Sequence, residues 1–118
     1  MTEPESTTTP EPTINKSADT VPQYFEILIG DARAGLTAYI DTGLQRIFFH
    51  TEIGDAYAGQ GLASRLIRAA LEDTRAAGER IVPICPFVKA FVEKHHDFDD
   101  LLDPVTPQAK ATVESALG

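Results

Sequence analysis

Regular apolar spacing begins near residue 23. Gln23–Ile29 (QYFEILI) is rich in aromatic and β-branched residues and stops at the turn pair Gly30-Asp31, which predicts a strand. Gly35–Ile40 (GLTAYI) predicts a second strand, and the short connection from Gly30 to Gly35 makes the two a hairpin. Asp41-Thr42-Gly43 is the next turn, and Leu44–Glu52 is a third strand centred on Ile47, Phe48 and Phe49. Strands joined this closely predict an antiparallel meander. The period then changes. Leu62, Leu66, Ala70 and Thr74 fall in one row, Ala63, Ile67 and Leu71 in the next, and Ser64, Arg65, Arg68, Glu72, Asp73 and Arg75 mostly opposite. That is an amphipathic helix from Leu62 to about Ala77, with Gly78 as its stop. Arg80–Ile84 (RIVPI) predicts a short buried strand. After an intervening helix it lies parallel to the strand at 46–52. Pro86 suits the first position of a further helix, Phe87–His95, with Phe87, Phe91 and His95 in one row. Phe98, Leu101 and Leu102 then fold back onto the core.

The ends are polar. Residues 1–22 are mostly Thr, Pro, Glu and Ser, which predicts a disordered tail. The domain is expected over 23–103, and 104–118 is expected as a C-terminal tail with room for a short helix at 108–117. The net charge is −8, of which residues 1–22 and 99–118 carry −3 each. The middle of the chain is nearly balanced, so the acidity does not name a cationic partner. A basic surface for nucleic acid is missing. The single cysteine, Cys85, excludes an internal disulfide and a multi-cysteine zinc site. Adjacent His95 and His96 point about 100° apart on a helix and do not chelate one metal well, so no metal is expected. No apolar run approaches the roughly 20 residues of a membrane span, and the first residues lack a signal core. These observations lead to the expectation of a cytoplasmic protein with no membrane partner. A domain this small gains from oligomerising, which leaves a homodimer open.

Chemistry centres on residues 46–70 (RIFFHTEIGDAYAGQGLASRLIRAA). A strand delivers a glycine turn, Gly59-Gln60-Gly61, to a helix N-terminus, where free N–H groups and the helix dipole favour an anion. The turn is neither a Walker loop nor a dinucleotide fingerprint. A helix start that needs glycine only for its positive φ fits the turn equally well.

The order of meander, long strand, glycine turn, amphipathic helix, short strand and helix resembles the GNAT-like acyl-CoA N-acyltransferase superfamily, in its minimal single-domain YjdJ-type form. The residues that carry the resemblance are Phe49-His50-Thr51-Glu52-Ile53, Gly59-Gln60-Gly61-Leu62-Ala63, Leu66 to Leu71, Gly78, Val82-Pro83, Cys85-Pro86-Phe87-Val88 and His95 to Leu102, within about 24–102. The resemblance implies an α/β (α+β) fold: an antiparallel meander with a splayed parallel strand pair at its centre and helices on both faces. It implies acetyl-CoA as co-substrate and an N-acetyltransferase acting on a primary amine, either a small molecule or a protein lysine. It places acetyl-CoA contacts on Thr51, Ile53, Ala58, Gly59, Gln60, Gly61, Leu62, Ala63 and Phe87. Ala58 departs from the Gln or Arg usual at that place, so the cradle would be made by backbone alone. The two helices that wall the acceptor side in larger relatives are missing here, which implies an open acceptor site.

Acyl transfer to an amine needs a proton acceptor, and His50 and Glu52 share a face of a regular strand. Packing for His50 and capping or pairing with Arg68 for Glu52 are the structural alternatives. Pro83 cannot donate to a ladder, an independent sign that the strands part there. Cys85, before Pro86, is expected to cap the next helix. The resemblance sets it near the thioester, as nucleophile or proton donor. A small buried core residue is the other reading. Two non-enzyme classes also remain: a CoA-binding or interaction module that keeps the fold, and a phosphate-binding domain using the same turn.

Overall fold

The computed structural model describes residues 11–20, 22–59 and 61–117. Gly30, at φ +61°, gives the left-handed turn that folds β2 (Gln23–Ile29) back on β3 (Ala32–Asp41). The second strand therefore begins at Ala32, earlier than the pattern from Gly35 predicts. The exposed residues Ala32 and Arg33 still pair, because Arg33 reaches across to Glu26 (2.8 Å) on the neighbouring strand. β4 (Gln45–Ile53) completes the meander. After α1 (Leu62–Ala76), β5 (Arg80–Pro83) returns parallel to β4, and α2 (Pro86–Lys94) and α3 (Pro107–Leu117) follow. Asp55–Tyr57 and His96–Leu101 are short 3-10 segments.

Two expectations are corrected. The N-terminal segment is not all tail, since β1 (Thr13–Ser17) pairs antiparallel with β2 in register Asn15↔Glu26. Composition missed it because an edge strand needs few apolar residues when its backbone hydrogen-bonds to a neighbour; Ile14 packs on the core and Lys16 bonds Asp73 at 2.9 Å. Residues 1–10 lie outside the described set. The parallel pair is at the edge of the sheet rather than its centre, because the strand order is β1-β2-β3-β4-β5 and, among the described residues, only a bridge from Leu102 to Ile81 lies beyond β5.

The sheet separates two apolar layers. Phe25, Ile27, Tyr39, Phe48 and Ile81 meet Leu62, Leu66, Ile67, Ala70 and Leu71 of α1 and Val88, Phe91 and Val92 of α2. On the other face Ile47, Val82 and Ile84 meet Ala109 and Val113 of α3. Helices thus cover both faces, α1 and α2 on one and α3 on the other. One row of β4 is interrupted. Tyr39 pairs with Phe48 and Ala38 with His50, so Phe49 is an extra, bulged residue. The bulge shifts the alternation by one. Thr51 and Ile53 join the face of Phe48, while His50 and Glu52 join the face of Ile47.

Arg46 is only 3% exposed. Its Nε donates to Asp41 (2.8 Å), its Nη1 donates to Asp73 (2.7 Å), and Nη2 lies 2.8 Å from Glu79. The guanidinium also covers the Tyr39 ring at 4.6 Å. Burial pushes the Tyr39 phenol up to about 12. Burial also raises Arg46's neighbour Glu79, whereas for Asp73 the hydrogen bonds from Lys16 and Arg46 outweigh burial and lower it.

Asp97 and Asp100 are solvent-exposed and, with the less exposed Asp103, act as clasps. Arg68 and Arg75 stand two helical turns apart on α1 and hold Asp97 (2.9 Å) and Asp100 (3.1 Å), and Arg80 of β5 holds Asp103 (2.5 Å). This seats Phe98 in the core. Three of these acids are lowered from the ordinary carboxylate value: Asp97 through Arg68, Asp100 through Arg75, and Asp103 through Gln45 and then Arg80. A lowered folded pKa means that the clasp's stabilisation is present above about pH 4 and is lost as pH falls through the folded values. Acidification from pH 6 to pH 3 is therefore expected to expose the amides of His96–Leu101 to hydrogen exchange before those of α1. Equal protection of both at pH 3 would remove the clasp from the acid response.

Candidate active site

The site lies where β4 and β5 part. Their last pair is Phe48↔Pro83. The Cys85 N–H still donates to Phe48 O (2.9 Å), and then the chain turns into α2 with Cys85 as N-cap and Pro86 at its first position. Proline's missing donor fits this parting. Beyond Phe48, β4 runs on to Ile53 with β3 alone. Gly54 N–H donates inward to Ala34 O (2.8 Å). Backbone groups alternate along a strand, so those of Thr51 and Ile53 face the side that β5 has left.

The glycine turn stands at the end of this strand. After the Asp55–Tyr57 turn, Ala58 closes a bond to Asp55 O at 3.3 Å. Gly59 (φ +81°) and Gly61 (φ +74°) both take the left-handed conformation. Gly61 is the N-cap of α1, which has no side-chain cap and no acid in its first turn. The first N–H groups of α1 thus have no intrahelical acceptor and no carboxylate competing for them. A pyrophosphate fits such a cradle on chemical grounds. Leu62 is buried beneath the turn, Ala63 is half-buried beside it, and Gln60 lies outside the described residues.

The structure brings His50 and Glu52 together and sets Cys85 apart. His50 Nε2 lies 2.8 Å from Glu52 Oε2, with the side chains 52% and 62% exposed. Glu52 therefore pairs with His50, not with Arg68, which holds Asp97. Cys85 belongs to the opposite face. It is 1% exposed, and its Sγ donates to Thr51 Oγ1 at 3.0 Å. Thr51 Oγ1 in turn lies 2.9 Å from buried Thr37 Oγ1. Although Cys85 is the N-cap residue, its thiol makes no cap bond to α2. The partnership of Thr37 and Thr51 went unread in the sequence, though directly opposed strand threonines are a known cross-strand pair.

A groove of about 200 Å³ runs from the turn between α1 and α2, lined by Ala63, Ser64, Ile67, Phe87, Phe91 and Lys94. Phe87, 47% exposed, is an apolar surface on it. Among the ten Lys and Arg residues, all described, six are in ion pairs; Arg65, Lys89, Lys94 and Lys110 are not. Arg65 in the first turn of α1 and Lys94 in the groove both stand on the side of the cradle.

A family model described as GCN5-related N-acetyl-transferase matches residues 24–101. The chain belongs to the GCN5-related N-acetyltransferase family. The match takes in the meander, the glycine turn, α1, β5 and α2 as one unit, so acyl transfer is the general activity of the domain. Among curated proteins, none matches the chain. Among the described residues no helix is long and apolar enough to cross a membrane, and no group of His, Cys, Asp and Glu is arranged for a metal.

Proposed function

We propose that the chain is an acetyl-CoA-dependent N-acetyltransferase that acetylates a primary amine. One observation carries the proposal: in a chain of this family, an uncapped α1 with Gly61 in the left-handed conformation stands at the end of a strand whose open side is free to meet a ligand. The N–H groups from Gly61 to Ser64 would hold the pyrophosphate. The freed backbone of Thr51 and Ile53 would pair with the pantetheine amides, and Phe87, Lys94 and Arg65 would meet the nucleotide end. Lys94 lines the groove while Lys89 does not. When bound, acetyl-CoA supplies the thioester; the amine's C–N bond forms as the C–S bond breaks, and CoA leaves as its thiol. His50 with Glu52 is the exposed pair able to take the amine's proton.

Cys85 is the less accessible candidate, and its burial weighs against a covalent role; the second reading, a non-catalytic CoA-binding module, is favoured by Ala58 at the cradle. Intact-mass analysis after incubation with acetyl-CoA tests both. Gain of one acetyl group in the native chain, absent in Cys85→Ala, assigns the thiol a covalent role. With no gain, turnover of amines by Cys85→Ala at the native rate leaves Cys85 a packing residue. Acetyl-CoA binding by calorimetry without acetylation of any amine or lysine peptide would leave only the binding module. No binding would remove both readings.

A further inference from the structure

α2 has two flanks. Phe91 and Lys94 look onto the groove toward α1, whereas Lys89 and Val92 look onto a separate cavity of about 490 Å³ between β5, α2 and α3. The two spaces meet the same short turn from opposite sides. Phe87 lines the groove, Ile84 lines the cavity, and Cys85-Pro86 lies between them. Ile84 shares its apolar cluster with Ile47, which is the face of β4 that carries His50 and Glu52.

The cavity's walls are apolar, from Ile84, Val92, Leu102 and half-exposed Val105, and its volume is that of a small-molecule site. Its charges are selective. Lys89 from α2 and Lys110 from α3 both line it, and neither is in an ion pair. Asp103 is already held by Arg80 and Gln45, which leaves Glu93 as the one unpaired acid of the lining. Two lysines against one glutamate give a surplus of one positive charge. In a chain of net charge −8, half of the cations without a partner are gathered here.

We propose that this cavity takes the acceptor, and that the acceptor is a small amine carrying one carboxylate and an apolar body, as an amino acid with an aliphatic side chain does. The proposal rests on the N-acetyltransferase reading. The apolar body sits against Ile84, Val92 and Val105, the carboxylate meets Lys89 and Lys110, and the amine turns toward the gap between β4 and β5. The free amine attacks the thioester carbonyl, the C–S bond breaks, and the proton released from nitrogen ends on the CoA thiol by way of His50–Glu52 or water. A single surplus charge suits a monoanion better than a phosphate dianion. A polyamine would meet two like charges.

L-leucine and L-leucinamide decide it, since they differ only in the carboxylate. The amide's amine is the less basic, so more of it is unprotonated at neutral pH, and a preference for leucine cannot come from amine basicity. With the full chain and acetyl-CoA, product read by mass spectrometry is expected to show kcat/KM about tenfold higher for leucine, the size of two partly screened charge pairs. Lys89→Gln with Lys110→Gln should abolish that ratio while leaving acetyl-CoA affinity unchanged. Equal or better use of leucinamide, or a ratio that survives in the double variant, overturns the proposal while the acetyltransferase reading stands. If acetyl-CoA does not bind, that reading falls, and the cavity is then judged by leucine titration watched on the methyl signals of Ile84, Val92 and Val105. Shifts that vanish in the double variant support a carboxylate site, and no shifts overturn it.

Discussion

Arg46→Ala is expected to lower the stability of the fold by about 3 kcal/mol, a large share of the roughly 5–15 kcal/mol of a typical domain. The guanidinium is buried and serves three acids at once. Removing it leaves Asp41, Asp73 and Glu79 facing one another over the Tyr39 ring. The figure is at the low end for a broken buried pair because Asp41 and Asp73 keep 31% and 37% of their side chains in contact with solvent. The loss should grow with pH. In the variant the folded-state carboxyls titrate higher than in the unfolded chain, so the folded state binds more protons and stability falls as pH rises from about 4 to 7. Urea denaturation at both pH values measures this. By contrast Lys16→Ala, at an exposed pair, should change stability by less than about 1 kcal/mol. If Arg46→Ala costs no more than Lys16→Ala does, the nest is not what joins β1, β4 and α1.

Gly61→Val is expected to weaken acetyl-CoA binding by about tenfold to a hundredfold with a smaller effect on the fold. Among the described residues no atom lies within 4 Å of a Cβ placed there, so the penalty is conformational. A β-branched residue at φ +74° is strained by roughly 1–2 kcal/mol or more, and the turn relieves the strain by changing shape. What is lost is the aim of the first N–H groups of α1. Calorimetry with acetyl-CoA reads the affinity, and thermal unfolding without ligand reads the fold. Unchanged affinity alongside a distorted turn would show that the cradle is not the binding determinant.

The elements with a strong period are legible in the sequence. Leu62, Leu66, Ala70 and Thr74 are buried as one stripe of α1, and Phe25 and Ile27 alternate inward as a strand demands. What escaped was decided by partners rather than by local pattern. Thr13–Ser17 has one large apolar residue, and its order comes from β2 and from Asp73 on a helix far along the chain. Asp97 and Asp100 are solvated, and that they are also held shows only once Arg68 and Arg75 are read as seven residues apart on one helical face; that spacing was an available signal. Arg46 gave one too, for it alternates with Phe48 and so belongs inside. The bulge at Phe49 gave none. Yet it decides which side chains of β4 meet Cys85, so the threonine beside the thiol could not be named from alternation alone. In the site, the pairing of His50 with Glu52 follows from their spacing, whereas Thr37 enters only through register.

The order of strands across the sheet also bears on how the molecule assembles. Each strand from β2 to β4 pairs with the one made just before it, so this part of the sheet closes through short loops and grows as the chain is synthesised. Only the union of β4 with β5 must wait for a whole helix to form between them. Four residue pairs hold that union, and it is the seam at which the strands part. The last pairing of the five-stranded sheet to close is thus the one across which the acyl group would move.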